Sequence, residues 1–179
     1  MKTLRALGLI VLVAVVLAGI YGAVHNQVSY TVSPEYFTKF KFRQFGLVDA
    51  PLPERVRASL VGALGTWSMG IPIGLLVGAA GLIHRNHHRM LTITLQSLAV
   101  AVAFTFFFEL GGLLYGYLKT ETINLADYRD WSIPDDVLNV RRFLCAGYMH
   151  AAGYLGGVTS ILVAWGYHAV VRFRSKDAA

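Results

Sequence analysis

Four stretches of this chain are almost wholly apolar: 6–24, 59–83, 91–118 and 143–171. A membrane-spanning helix needs about 20 such residues, so each stretch is long enough. The segments between them, 25–58, 84–90 and 119–142, carry most of the charge. This pattern predicts an all-α integral membrane protein. It is a single membrane domain, a four-transmembrane-helix bundle with a structured extracytoplasmic cap. The first stretch also reads as a signal peptide: Lys2 and Arg5 precede the apolar run, and Val16-Leu17-Ala18 offers small residues for cleavage. The apolar run continues to Val24, which favours an uncleaved helix.

Small residues recur at helical spacing within each run. Ala14, Ala18 and Gly22 mark the first, and Gly62, Thr66, Gly70, Gly74 and Gly78 mark the second. Ser97, Ala101, Thr105, Glu109 and Gly112 mark the third, and Ala146, His150, Gly153, Gly157 and Ser160 the fourth. In lipid, helices associate by close backbone approach rather than by hydrophobic burial, so these stripes should face one another. Pro72 should kink the second helix.

The segment 25–58 mixes Tyr30, Tyr36, Phe37, Phe40, Phe42 and Phe45 with Lys39, Lys41 and Arg43. Alternation over Val28-Tyr30-Val32 suggests a short strand-like run. Ser33-Pro34-Glu35 then opens an interfacial helix, with serine as cap, proline in the first turn and glutamate at the positive end. Gly46 closes it. Pro53-Glu54 and Pro134-Asp135-Asp136 open the second and fourth helices in a similar way, which suggests two pairs built on one plan.

Charge sets the orientation. Lys2, Arg5, Arg85, Arg89, Arg172, Arg174 and Lys176 flank the helices on one side. By the positive-inside rule that side is cytoplasmic. The expected location is therefore the inner (cytoplasmic) membrane, multi-pass, with both termini cytoplasmic. The link from His84 to Met90 places Arg85, His87, His88 and Arg89 against anionic lipid headgroups. The net charge of +6 is spread over helix ends, so nucleic acid is not an expected partner. The bilayer is one, and other membrane subunits or a homo-oligomer fit the small-residue stripes. The single Cys145 excludes an intrachain disulfide, and the acidic loop around DYRDW lacks the spacing of a calcium loop.

Chemistry has one place to sit. Glu109 is the only acidic residue within the apolar runs, and an ionisable group at membrane depth needs a partner or a purpose. His150 lies at matching depth on the fourth helix, with Tyr148 and Tyr154 beside it. Thr66 is level with them, and His25 stands above. The structural reading is a Glu109–His150 hydrogen bond that fixes helix register. A functional reading makes Glu109, His150 and His25 a carboxylate–imidazole metal set. Haem held by His25 and His150 is a further option, as is a quinone or proton site. Neither haem nor a transition metal is demanded. No nucleophilic triad, phosphate loop or dinucleotide motif is present. The expected function is that of an accessory or binding subunit without covalent chemistry of its own, with its polar Glu/His site near the outer face. A metal-, haem- or quinone-binding redox protein and a small oligomeric channel or transporter are the alternatives.

Overall fold

The computed structural model describes residues 1–177, with side chains described through Arg174. Its helices are α1 (Lys2–Val32), α2 (Phe42–Gln44), α3 (Glu54–Thr66), α4 (Gly70–Ala80), α5 (His87–Lys119) and α6 (Val140–Asp177). There is no strand among the described residues. Four helical stretches are long and apolar enough to cross a membrane: Lys2–Val32, Glu54–Ile83, His87–Lys119 and Val140–Arg174.

Each helix outruns its apolar stretch, because loss of hydrophobicity ends a membrane span without ending a helix. The clearest case is 25–32, where the strand-like reading fails and α1 continues to Val32. The polar side chains there serve a neighbouring helix. Asn26 Nδ2 donates to the Ala58 carbonyl at 2.8 Å, and Gln27 Nε2 reaches Ser59 Oγ at 2.7 Å. With those contacts available, the helical turn outcompetes an isolated strand, which would leave its backbone unpaired.

The helices form two antiparallel pairs. In the first, α1 lies along α3 and α4; in the second, α5 lies along α6. Glycine sets the first pair. A Cβ on Gly22 would stand 2.3 Å from the Gly62 carbonyl oxygen, and one on Gly62 would stand 2.0 Å from that of Gly22. Gly70 and Gly74 continue this close approach along Ala14, Val15 and Val11. In the second pair, Gly112 abuts Ala152 and the Tyr148 carbonyl.

The expected break in the second span is present, but ahead of the proline. A 3-10 turn at Trp67–Met69 separates α3 from α4. Proline removes the hydrogen bond to the carbonyl four residues back and crowds it. For Pro72 that carbonyl belongs to Ser68, inside the turn.

The segment after α1 begins as expected, with Ser33 Oγ accepting from the Tyr36 amide at 3.2 Å. It then winds as a π-helical stretch, Tyr36–Lys41, into α2, and ends at Gly46 with φ +66°. Tyr36, Phe37 and Phe42 are buried with Tyr30, Val61, Phe143 and Ala146 in one of the two apolar cores. Glu35 does not serve its own helix: its two carboxylate oxygens accept from the Leu138 and Asn139 amides at 2.9 and 2.8 Å. Pro134–Asp136 is likewise outside α6, which starts at Val140 behind an Asn139 cap. Asp136 instead receives Lys39 and Arg43, at 2.9 and 3.2 Å. These contacts fasten the two long connecting segments together at one end of the bundle, here called the loop end.

Candidate functional site

The site is built from the inward stripes of α1, α5 and α6. Glu109 lies ten residues before the end of α5, and His150 ten residues into α6. At about 1.5 Å per residue both sit roughly 15 Å below the loop end. His25, seven residues from the end of α1, meets them there. Glu109 is wholly buried, and His25 and His150 are nearly so.

The pairing differs from the one expected. Glu109 Oε2 takes a hydrogen bond from His25 Nδ1, at 2.5 Å, and one from the Tyr21 hydroxyl. His150 contacts His25 edge to face, with ring centroids 4.4 Å apart, while its Nε2 lies 3.1 Å from Ser29 Oγ. Thus His150 shares the site with Glu109 but is coupled to it through the His25 ring. The helical extension of α1 is the reason: it puts His25 and Ser29 on the face that already carries Tyr21, four residues apart. Glu109 Oε1 is buried and has no hydrogen-bond partner.

The other expected residues divide. Thr66 Oγ1 donates to the carbonyls of Ala18 and Gly62, at 2.6 and 2.9 Å, and lines the same cavity. Tyr154 lines it too but is half exposed. Tyr148 does not belong to the site; it turns to Tyr128, Trp131 and Tyr115 on the far side of α6. Of the headgroup set, Arg85, His88 and Arg89 are exposed and His87 is half buried. Their neighbour His84 is buried and bonded to His168.

Neither the metal nor the haem arrangement matches this geometry. No group of three or more His, Cys, Asp or Glu residues among those described is placed to hold a metal ion. The His25 and His150 rings are in contact, so no macrocycle fits between them.

A cavity of about 120 Å³ runs from the site down between the two helix pairs. Its wall follows α1 from His25 to Ala14 and α5 from Glu109 to Leu98. That is a slot roughly 17 Å long, at about 1.5 Å per residue. The lower part is apolar, with Leu17, Met69, Ile73, Leu98 and Val102. Partly exposed Gly65 and Met69 on one side and Gly157 on the other also line it. These lie about three turns or more from the ends of their spans, Glu54–Ile83 and Val140–Arg174, so the slot meets the flank of the bundle rather than its top.

Sequence reading missed several members. Asn26 and Ser29 carried a signal in their spacing on α1, had that helix been extended past Val24; Tyr21 lay within the first apolar run, four residues before His25. Lys41 also lines the slot. Its ammonium donates to Gln44 Oε1 at 3.0 Å and sits over the Phe40 and Tyr36 rings, 5.0 and 5.6 Å from their centroids. Burial pushes its pKa below the ordinary lysine value, and burial pushes the Tyr36 hydroxyl upward, with Tyr154 adding to the shift.

No family model, curated protein or solved structure matches this chain.

Proposed function

We propose that this is a multi-pass inner-membrane protein that binds a lipid-soluble molecule with a hydrogen-bond-donating head, the chemistry of a quinol. The observation that carries this reading is the apolar slot with Glu109 in its wall, where one carboxylate oxygen, Oε1, is buried and has no hydrogen-bond partner. A buried carboxylate oxygen without a donor costs free energy unless something supplies one. A hydroxyl entering along the slot supplies it, while His25 and Tyr21 hold the other oxygen still. The enclosed volume of about 120 Å³ is somewhat below the roughly 150 Å³ apolar cavity that accommodates benzene, so it takes one chain or part of a ring, with the rest of the ligand at the slot's open flank. Entry is sideways from the bilayer, past Gly65, Met69 and Gly157, with the tail left along Leu98 and Ile73. Loop-end segments, rich in aromatics and cations, lie at the outer headgroup layer.

In this reading the protein has no covalent chemistry of its own and acts as an accessory binding subunit. In this reading Oε1 serves as the acceptor, so the reduced ligand, which can donate, is favoured over the oxidised one, which has only acceptors. With protein in lipid nanodiscs, titration of a short-chain ubiquinol should saturate. The matching quinone should bind at least about tenfold more weakly, the equivalent of one net hydrogen bond. Glu109→Gln should remove that preference. Equal affinity for the two forms, or no saturable binding of either, contradicts the reading.

A further inference from the structure

A second polar cluster lies at the end of the bundle opposite the loop end, and none of its members lines the slot. His84 follows the second span, His168 is on α6, and Ser97 and Thr94 are on α5. All four are buried. His84 Nε2 and His168 Nδ1 are 3.0 Å apart, and His168 Nε2 and Ser97 Oγ are 3.1 Å apart.

The hydrogens of this row are placed by elimination. Ser97 Oγ spends its single hydrogen on the Thr94 carbonyl, at 2.8 Å. It must therefore accept from His168, which puts the hydrogen of the neutral ring on Nε2 and leaves a lone pair on Nδ1. That lone pair points at His84 Nε2. Metal-binding histidines are prepared in the same way: a fixed partner takes one ring N–H, and the other nitrogen is held as a ligand.

Gly81 leaves space beside the pair. A Cβ there would stand 3.0 Å from Met90 Cγ, 2.5 Å from Thr94 Oγ1 and 3.7 Å from His168 Cε1, the carbon bonded to Nδ1. Three side chains thus converge on one small volume. Met90 is buried, and its thioether sulfur is one bond beyond Cγ. Thr94 Oγ1 is buried without a hydrogen-bond partner.

The donor set selects the ion. Two neutral imidazoles and a thioether, with no carboxylate or thiolate among them, offset no charge. Arg89 and Arg172 add positive charge beside His84. Burying a dication in that field is costly, and a monovalent ion much less so. A soft thioether beside imidazoles also favours copper(I) over iron or manganese.

We propose that His84 Nε2 and His168 Nδ1 bind one copper(I) ion between them, with the Met90 thioether as third ligand. The hydrogen on His84 Nε2 moves to Nδ1 of the same ring by exchange with water at the bundle end, so both rings stay neutral. The two nitrogens part from 3.0 Å to roughly 3.5–4 Å, for metal–imidazole bonds of about 2.0 Å each. His84 supplies that movement. It lies just past the 3-10 turn Gly81–Ile83, on extended backbone with φ −86° and ψ 147°, so its ring withdraws without displacing a helix.

The test titrates the full chain in detergent, without oxygen, with copper(I) held by the coloured chelator bicinchoninate. The protein should withdraw one equivalent per chain, and X-ray absorption of the loaded protein should show two nitrogen neighbours and one sulfur. Ser97→Ala removes only the acceptor that fixes His168 and should weaken binding about 10–100-fold. His168→Gln removes a ligand and should weaken it further, while Met90→Leu should erase the sulfur signal. His87 and His88 form the other imidazole pair at this end, with ring centroids 4.1 Å apart. Replacing both by Gln should leave binding unchanged. Wild-type protein that leaves the chelator loaded, or whose spectrum shows no sulfur, overturns the proposal whether or not the variants fold. Folded His168→Gln that binds like wild type, or a loss confined to the His87/His88 variant, overturns it too.

Discussion

Glu109 has two oxygens in different circumstances, and that asymmetry is the centre of the site. One is held by His25 and Tyr21; the other has no partner. The carboxylate's inward position was legible in the sequence, because Glu109 continues a stripe of small residues. Its partner was not. Depth alone made His150 the natural choice; the extra turns of α1 bring His25 closer, on the same face as Tyr21 one turn before it. At the same scale, Asp136 is the charge that ties the loop-end segments together. A hydrogen bond from Lys39 holds its carboxyl below the ordinary value of 3.8, with the charges of Lys39 and Arg43 assisting. A depressed carboxylate contributes stability above its unfolded pKa and loses it as pH falls through the folded one. Proteolysis of segment 33–58 should therefore accelerate as pH drops below about 3.8, and Asp136→Asn should make it equally fast at about pH 6. Unchanged cleavage in that variant means the contact does not hold the segment.

At the scale of elements, the apolar runs announced the four helices but not their limits. Asn26, Gln27 and Ser29 are polar because they face other helices, not because the helix has ended. The segment 33–46 shows the same principle in reverse. Its cap and its closing glycine followed from Ser33 and Gly46, whereas the π-helical turn, whose Tyr36 and Phe37 pack against His150 from a distant helix, did not. Helix contacts were more readily foreseen, as glycine leaves a mark that tertiary context seldom overrides. The α1–α3 crossing rests on Gly22 and Gly62 meeting backbone to backbone. Gly62→Ala must push the helices apart and should cost about 1–3 kcal/mol, the usual range for overpacking. Reversible denaturation in detergent measures it. Gly157→Ala, whose Cβ would meet nothing within 4 Å, should be neutral by comparison.

At the scale of the molecule, two tightly paired hairpins leave between them a slot that neither pair fills. The polar groups divide between the ends of the bundle: a carboxylate–imidazole–phenol group in the slot toward the loop end, and a histidine–serine row, outside the slot, at the other. The second row was invisible to sequence reading because His84 stood among residues suited to headgroups and His168 stood alone in an apolar run. The lipid-ligand reading depends on the slot being where the ligand lies. The most direct measurement is quinol binding by Gly157→Phe in nanodiscs. A Cβ at this position meets nothing within 4 Å, so the added ring enters the slot that Tyr154 and Met69 also line. We predict a folded protein with unchanged melting and quinol affinity reduced at least about tenfold; a folded Gly157→Phe variant that binds quinol like wild type would contradict the account.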